Sequence, residues 1–138
     1  MKKQFSIKWR ESKQTRKQRK FRAEAPLHIR HKLMAASLSK ALREKYSRRS
    51  FPVRKGDNVK VIGGKFNGKI GKITDVDLKN LKVAIENIQA QKKDGTKVNV
   101  YLPTSKLQIE ELTLDDKKRV EALNRIKKLE VESKEKKK

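Results

Sequence analysis

Positive charge is crowded into the front of this chain, and that crowding limits what the chain can fold into. Residues 1–55 carry 19 Lys and Arg against 3 acidic groups, residues 56–112 carry 10 against 7, and residues 113–138 carry 10 against 6. The 138-residue sequence has a net charge of +23, and only 34% of its residues are hydrophobic. A front segment with that balance has too little apolar surface to offset its own ordering entropy and self-repulsion. A compact core is therefore expected behind it, and the front is expected to need a polyanion. Nucleic acid is the first candidate and an anionic membrane surface the second. No apolar run approaches the roughly 18 residues of a transmembrane helix, so membrane insertion is not expected. Met1–Arg10 lacks the apolar stretch of a secretory signal. The absence of Cys excludes a disulfide frame and a thiolate metal site. A cytosolic location is the simplest expectation.

Residues 1–25 show neither a helical nor a strand period and read as a disordered basic arm. Six basic residues crowd into ten positions there: Lys13, Arg16, Lys17, Arg19, Lys20 and Arg22. They suit phosphate contacts better than a role in solubility, which the charge elsewhere already supplies. Phe5 and Trp9 could stack on bases or stay unordered with the arm. Pro26 opens a helix that Leu27, Arg30, His31, Leu33 and Met34 continue. Ser37 is expected to cap a second one reaching about Tyr46. Residues 26–50 thus form a helical elbow.

From Val53 the period changes to two. Val59 and Val61 mark one strand; Ile70, Ile73 and Val76 a second; Leu81, Val83 and Ile85 a third. Asp94-Gly95 is a hairpin turn leading to Val98 and Val100, and a Pro103 turn leads to Leu107 and Ile109. Five short strands predict a small closed barrel over residues 51–112, because closure removes exposed edges. Thr113 and Asp116 resemble a capping box for a C-terminal helix carrying Val120, Leu123, Ile126 and Leu129. Residues 113–138 are that helix and a basic tail, frayed at Glu135–Lys138.

One segment carries more information than the rest. Lys55 to Ile73, KGDNVKVIGGKFNGKIGKI, resembles a KOW motif. A strand rises, a glycine-rich loop turns back, and a second strand returns. Gly68 and Gly71 allow a conformation or a close approach that a side chain would block. Lys65, Asn67 and Lys69 then sit on a loop whose backbone can come near a phosphate or sugar. The plainer alternative is a hairpin with surface lysines.

Two further stretches extend the likeness: Ala25–Met34 with Leu38–Tyr46, and Arg48–Asp57. From about Ser12 to Arg119 the chain resembles the universal ribosomal protein numbered twenty-four of the large subunit, in its archaeal and eukaryotic form (number twenty-six in eukaryotic naming). The bacterial form lacks the long basic N-terminal extension. The resemblance implies a mainly β fold: an SH3-like barrel with a basic extension holding two short helices, and a C-terminal helix. It implies a structural role in the ribosome of the cytoplasm. Its partners would be the 5′ region of the large-subunit ribosomal RNA and neighbouring ribosomal proteins. Early assembly and a place near the polypeptide tunnel exit are also implied. The matching RNA-binding positions are Arg16, Lys17, Arg19, Lys20 and Arg22, with Lys13 in the same run; His28, Arg30, His31, Lys32 and Lys40; Arg48 and Arg49; and Lys65, Asn67 and Lys69. No cofactor and no homo-oligomer are expected.

Other signals point elsewhere less well. His28 and His31 share a helix face, but no Cys or nearby carboxylate pair completes a metal set. Asp75 and Asp77 read as turn chemistry. No nucleophile has its base, so an enzyme is not expected. A transcription elongation factor with a KOW barrel would carry a larger folded domain ahead of it. A chromatin coat protein would want a more basic barrel face than residues 56–112 offer.

Overall fold

The computed structural model describes residues 5–125. Its helices are α1 (Thr15–Glu24), α2 (Leu27–Leu33), α3 (Lys40–Tyr46) and α4, which covers 117–125. Its strands are β1 (Ala35–Leu38), β2 (Ser50–Pro52), β3 (Asn58–Val61), β4 (Ile70–Asp77), β5 (Lys82–Gln91), β6 (Lys97–Pro103) and β7 (Leu107–Glu111). The fold is mainly β. The strands make one mixed sheet in the order β2-β1-β7-β3-β4-β5-β6. The sheet is open: no hydrogen-bonded ladder joins β2 to β6 among the described residues. The expected closed barrel is therefore replaced by a curled sheet whose two ends reach the same core.

That core explains the curl. Val59, Val61, Leu107, Ile109, Val83 and Leu38 have no exposed surface, and Leu123 of α4 joins them. Phe51 of β2 and the partly buried Val100 and Leu102 of β6 belong to the same cluster, although they sit at opposite ends of the sheet. Register shifts let the strands bend: one between Ile73 and Asp75 of β4, another between Ala84 and Gln89 of β5. Gly71 makes a tight crossing possible, because a Cβ there would stand 2.8 Å from the Glu86 carbonyl oxygen and 3.0 Å from Ile85 Cγ2. The five strands expected from residue 53 onward all form. Leu81 does not belong to the third, however; it has φ +56° and lies in the preceding turn. The Asp94-Gly95 turn forms as expected, with Gly95 at φ +85° and Asp94 accepting from the Thr96 N–H and hydroxyl.

Three expectations need correction. Residues 15–24 are a helix despite lacking an apolar period, anchored by the buried Phe21 and by the Gln18 side chain. Ser37 caps nothing: it lies within β1, and Ser39 caps α3 by accepting the Leu42 N–H. Thr113 and Asp116 do not form a capping box. Asp116 alone caps α4, accepting the Lys118 N–H at 2.9 Å, while the Thr113 N–H donates to Asp57. Met1–Gln4, Ile126, Leu129 and the Glu135–Lys138 tail lie outside the described residues.

One carboxylate ties the sheet to α4. Asp57 has no exposed surface and accepts from Arg54 N–H at 2.8 Å and Thr113 N–H at 3.0 Å. Arg119 donates to it through both terminal nitrogens, at 2.7 and 2.6 Å. Arg119 also donates to the Thr113 and Pro52 carbonyls and sits 5.5 Å over the Phe51 ring. Removing one partner of such a pair strands a buried charge, at a cost of about 3–5 kcal/mol. Asp57→Ala should therefore lower stability to urea by about that much. Arg119→Ala should cost less, since Asp57 keeps two N–H donors. The double variant should lose clearly less than the sum, and additive losses would show that the two residues do not act as a pair.

Candidate nucleic-acid interface

The glycine-rich loop joins β3 to β4 over residues 62–69. Val61 N–H donates to the Lys69 carbonyl at 2.9 Å and Gly68 N–H to the Val61 carbonyl at 2.8 Å, which closes its base. Gly64 and Gly68 have φ +94° and +83°, a region that L side chains rarely adopt. Around Gly68 the space is open, so its requirement is conformational; Gly71 is needed for close approach instead. Phe66 is half-buried against the core and seats the loop. Lys69 Nζ lies 5.4 Å from the Phe66 ring centre. Lys65, Asn67 and Lys69 are all exposed.

The loop recruits a residue that the sequence reading missed. Ile62 N–H donates to the Lys106 carbonyl at 2.9 Å, and a side chain at Gly64 would start 3.5 Å from the Lys106 ammonium. Lys106 lies in a 3-10 turn, Thr104–Lys106, some forty residues later, so no local pattern could have shown it. Ile62 and Ile70 flank the loop with about half their surface exposed, 47% and 51%. Ile70 thus stands opposite Lys60 on the outer face rather than in the core.

The arm is built around three aromatic rings. Phe21 packs 5.3 Å from Phe5, and Phe5 meets Trp9 edge-on at 6.1 Å. Phe5 and Trp9 therefore face their own segment. Gln18 ties α1 to the 3-10 turn Ile7–Glu11 by donating to the Trp9 and Arg10 carbonyls. With the aromatic groups turned inward, Lys13, Arg16, Lys17, Arg19, Lys20 and Arg22 are all exposed, and Lys20 Nζ rests 4.7 Å over the Trp9 ring.

The elbow divides its cations. His28, His31, Lys32, Lys40 and Arg49 are exposed. Arg30 is half-buried and donates to the Ala23 and Ala25 carbonyls at 2.8 and 2.9 Å, locking the end of α1 to α2. Arg48 is half-buried with its guanidinium 5.6 Å over Phe51. These two hold the fold, while their exposed neighbours are free to meet a partner.

Asp75 and Asp77 do local work. Asp77 accepts from the Lys79 and Asn80 N–H groups, as turn chemistry predicts. Asp75 instead bonds Lys55 at 2.9 Å and the Tyr101 hydroxyl at 3.0 Å. Those donors hold its carboxyl below the usual range, and the same contact pushes the Tyr101 hydroxyl up.

Residues 12–126 match the family described as the L26 ribosomal proteins of eukaryotes and their L24 counterparts of archaea. The chain belongs to this family. Among its relatives, the large ribosomal subunit protein uL24 of Methanosphaera stadtmanae is 50% identical over 114 residues, covering 83% of this chain and 97% of the relative. The uL24 of Methanoregula boonei is 45% identical over 113 residues, covering 82% and 93%. The family match begins at Ser12 and spans the second half of the arm, the elbow, the glycine loop and the Asp57–Arg119 pair alike. It is a family of ribosomal proteins and not of enzymes.

In this member of the family the described part of the arm has a short helix and a small aromatic nest, and the helix packs chiefly on the Ile7–Glu11 turn. A ten-residue helix of that kind is marginal in water. Trypsin should therefore cut the free protein first between Lys13 and Arg22. Protection of that run equal to that of the sheet would show that the arm is ordered without a partner.

Proposed function

We propose that this protein is a structural constituent of the large ribosomal subunit that binds the 5′ region of the large-subunit ribosomal RNA. In this reading it acts early in subunit assembly, sits near the exit of the polypeptide tunnel, and touches neighbouring ribosomal proteins without forming a homo-oligomer. The observation that carries the proposal is the distribution of free cations. Exposed basic groups cover the arm, the elbow and the glycine loop, and few of those among the described residues have an acidic partner. The family membership supports the ribosomal part of the reading. The β3–loop–β4 hairpin, with its two positive-φ glycines and the Gly71 crossing, supports taking the curled sheet as a KOW-type, SH3-like barrel left unclosed at one seam. Residues 1–25 serve as the arm, 26–50 as the elbow, 51–112 as the barrel and 113–138 as the closing helix and tail.

Phosphate neutralisation leaves a measurable signature. Each contact contributes a slope of roughly −0.7 to −0.9 to the log–log dependence of affinity on salt. Residues 1–25 contain ten basic groups, so their deletion should make the slope clearly shallower. An unchanged slope would mean the arm does not touch phosphate.

The loop gives a second test. Gly68→Val places a β-branched residue at φ +83° in open space, which distorts the loop without a clash. It should weaken binding to 5′-region ribosomal RNA more than Lys92→Ala, which removes one exposed charge beside the distal hairpin. The thermal transition must be measured alongside. A folded Gly68→Val protein that binds as well as the parent would remove Lys65, Asn67 and Lys69 from the interface.

A further inference from the structure

A cavity of about 530 Å³ opens between α2, β2, the end of β4 and the start of α4. Its walls are apolar: Phe51, Pro52, Val53, Val76 and Leu78. Its rim is polar, with the exposed His31, Arg54 and Lys55 and the partly exposed Asp116. Arg119 completes the lining, fixed by Asp57 and set over the Phe51 ring. Hydrophobic walls beneath a rim rich in N–H donors match a molecule with a flat apolar part and an attached anion.

We propose that this cavity takes one unstacked nucleotide of the RNA, its base between the apolar walls and its phosphate at His31, Arg54 and Lys55. The inference rests on the RNA-binding reading above and adds a specific seat to it. Single-stranded RNA is commonly read by bases splayed out into apolar or aromatic pockets. The volume suits a nucleotide, since small-molecule sites run from roughly 300 to 1,000 Å³. Continuity also favours this occupant: His31 lies on α2 beside the exposed His28 and Lys32, so RNA following the elbow passes the mouth. An apolar side chain from a neighbouring protein would fill the walls but make no use of the rim.

The rim cations are already engaged. Arg54 pairs with Asp116 at 3.0 Å, and Lys55 with Asp75 at 2.9 Å. Both side chains are more than half exposed, 57% and 63%. Exposed pairs of this kind are weak and leave the remaining donors of each cation available to a phosphate. Burial of the base must therefore supply most of the affinity, and that fixes the signature to look for.

The experiment uses the full-length protein and a transcript of the 5′ region of large-subunit ribosomal RNA. Leu78→Trp fills the cavity without changing charge. It should weaken binding about tenfold, the scale of losing one buried base, while the salt slope becomes shallower by no more than the roughly 0.7 of a single phosphate contact. Because the bulky residue could perturb folding, ultraviolet cross-linking of the parent complex provides a second readout. Nucleotide adducts should appear on the peptides holding Phe51–Lys55 or Val76–Leu78. Unchanged affinity of a folded Leu78→Trp protein, or adducts confined to the arm and glycine loop, would overturn the proposal and leave a protein side chain as the occupant. A parent protein that does not bind the transcript at all would instead overturn the RNA-binding reading.

Discussion

The Asp57 carboxylate is the point on which the rest of the structure depends. Four donors converge on it, and they come from three separate stretches: the approach to β3, the chain leaving β7, and α4. A buried carboxylate is costly unless its oxygens are well supplied with donors. Here both are, so the charge acts as an address. The C-terminal helix has one register on the sheet in which Leu123 enters the core and Arg119 reaches Asp57. The same pair fixes Arg119 over Phe51, and Phe51 holds β2 against β1.

Around that anchor the protein divides its residues by a simple physical rule. Apolar groups are scarce, so they are concentrated in one cluster fed from both ends of an open sheet, with a separate nest of three aromatic rings in the arm. Cations are plentiful, and nearly all of those described remain in water. The exceptions are informative. Arg119, Arg30 and Arg48 are drawn inward, and each gives its guanidinium a carboxylate, a pair of carbonyls or an aromatic face. Lysine supplies the outer surface of the glycine loop, where a hydrated point charge on a flexible stem suits phosphate.

Much of this was legible in the sequence where the determinants are local. The strand period of Val59 and Val61, the Asp94-Gly95 turn and the need for glycine at 68 each follow from neighbours within a few residues, whereas Gly71 is required by Ile85 and Glu86 on the next strand. What was hidden depends on distance. Ala35–Leu38 is four residues with no strand character of its own; it becomes β1 because β2 and β7 flank it. The helix at Thr15–Glu24 rests on Phe21 meeting Phe5 and on Gln18 bonding the preceding turn, contacts that no period reveals. Lys106 joins the loop, and Arg119 joins Asp57, across separations that composition does not encode. The exposed cations of the arm and elbow were legible as a group, whereas the inward turn of Arg30 and Arg48 needed the packing around them.

The parallel pairing of β1 with β7 has a consequence for synthesis. The Ser37 hydroxyl donates to the Leu107 carbonyl, a partner 70 residues further along the chain. At translation rates of roughly 5–20 residues per second, β1 waits on the order of 4–14 s for that strand to be made. During that interval β7, the strand that links β1 to β3, is missing, while the basic front has already been made. Because β7 is the last strand in the chain, the pair of β1 and β2 joins the rest of the sheet only when synthesis is nearly complete.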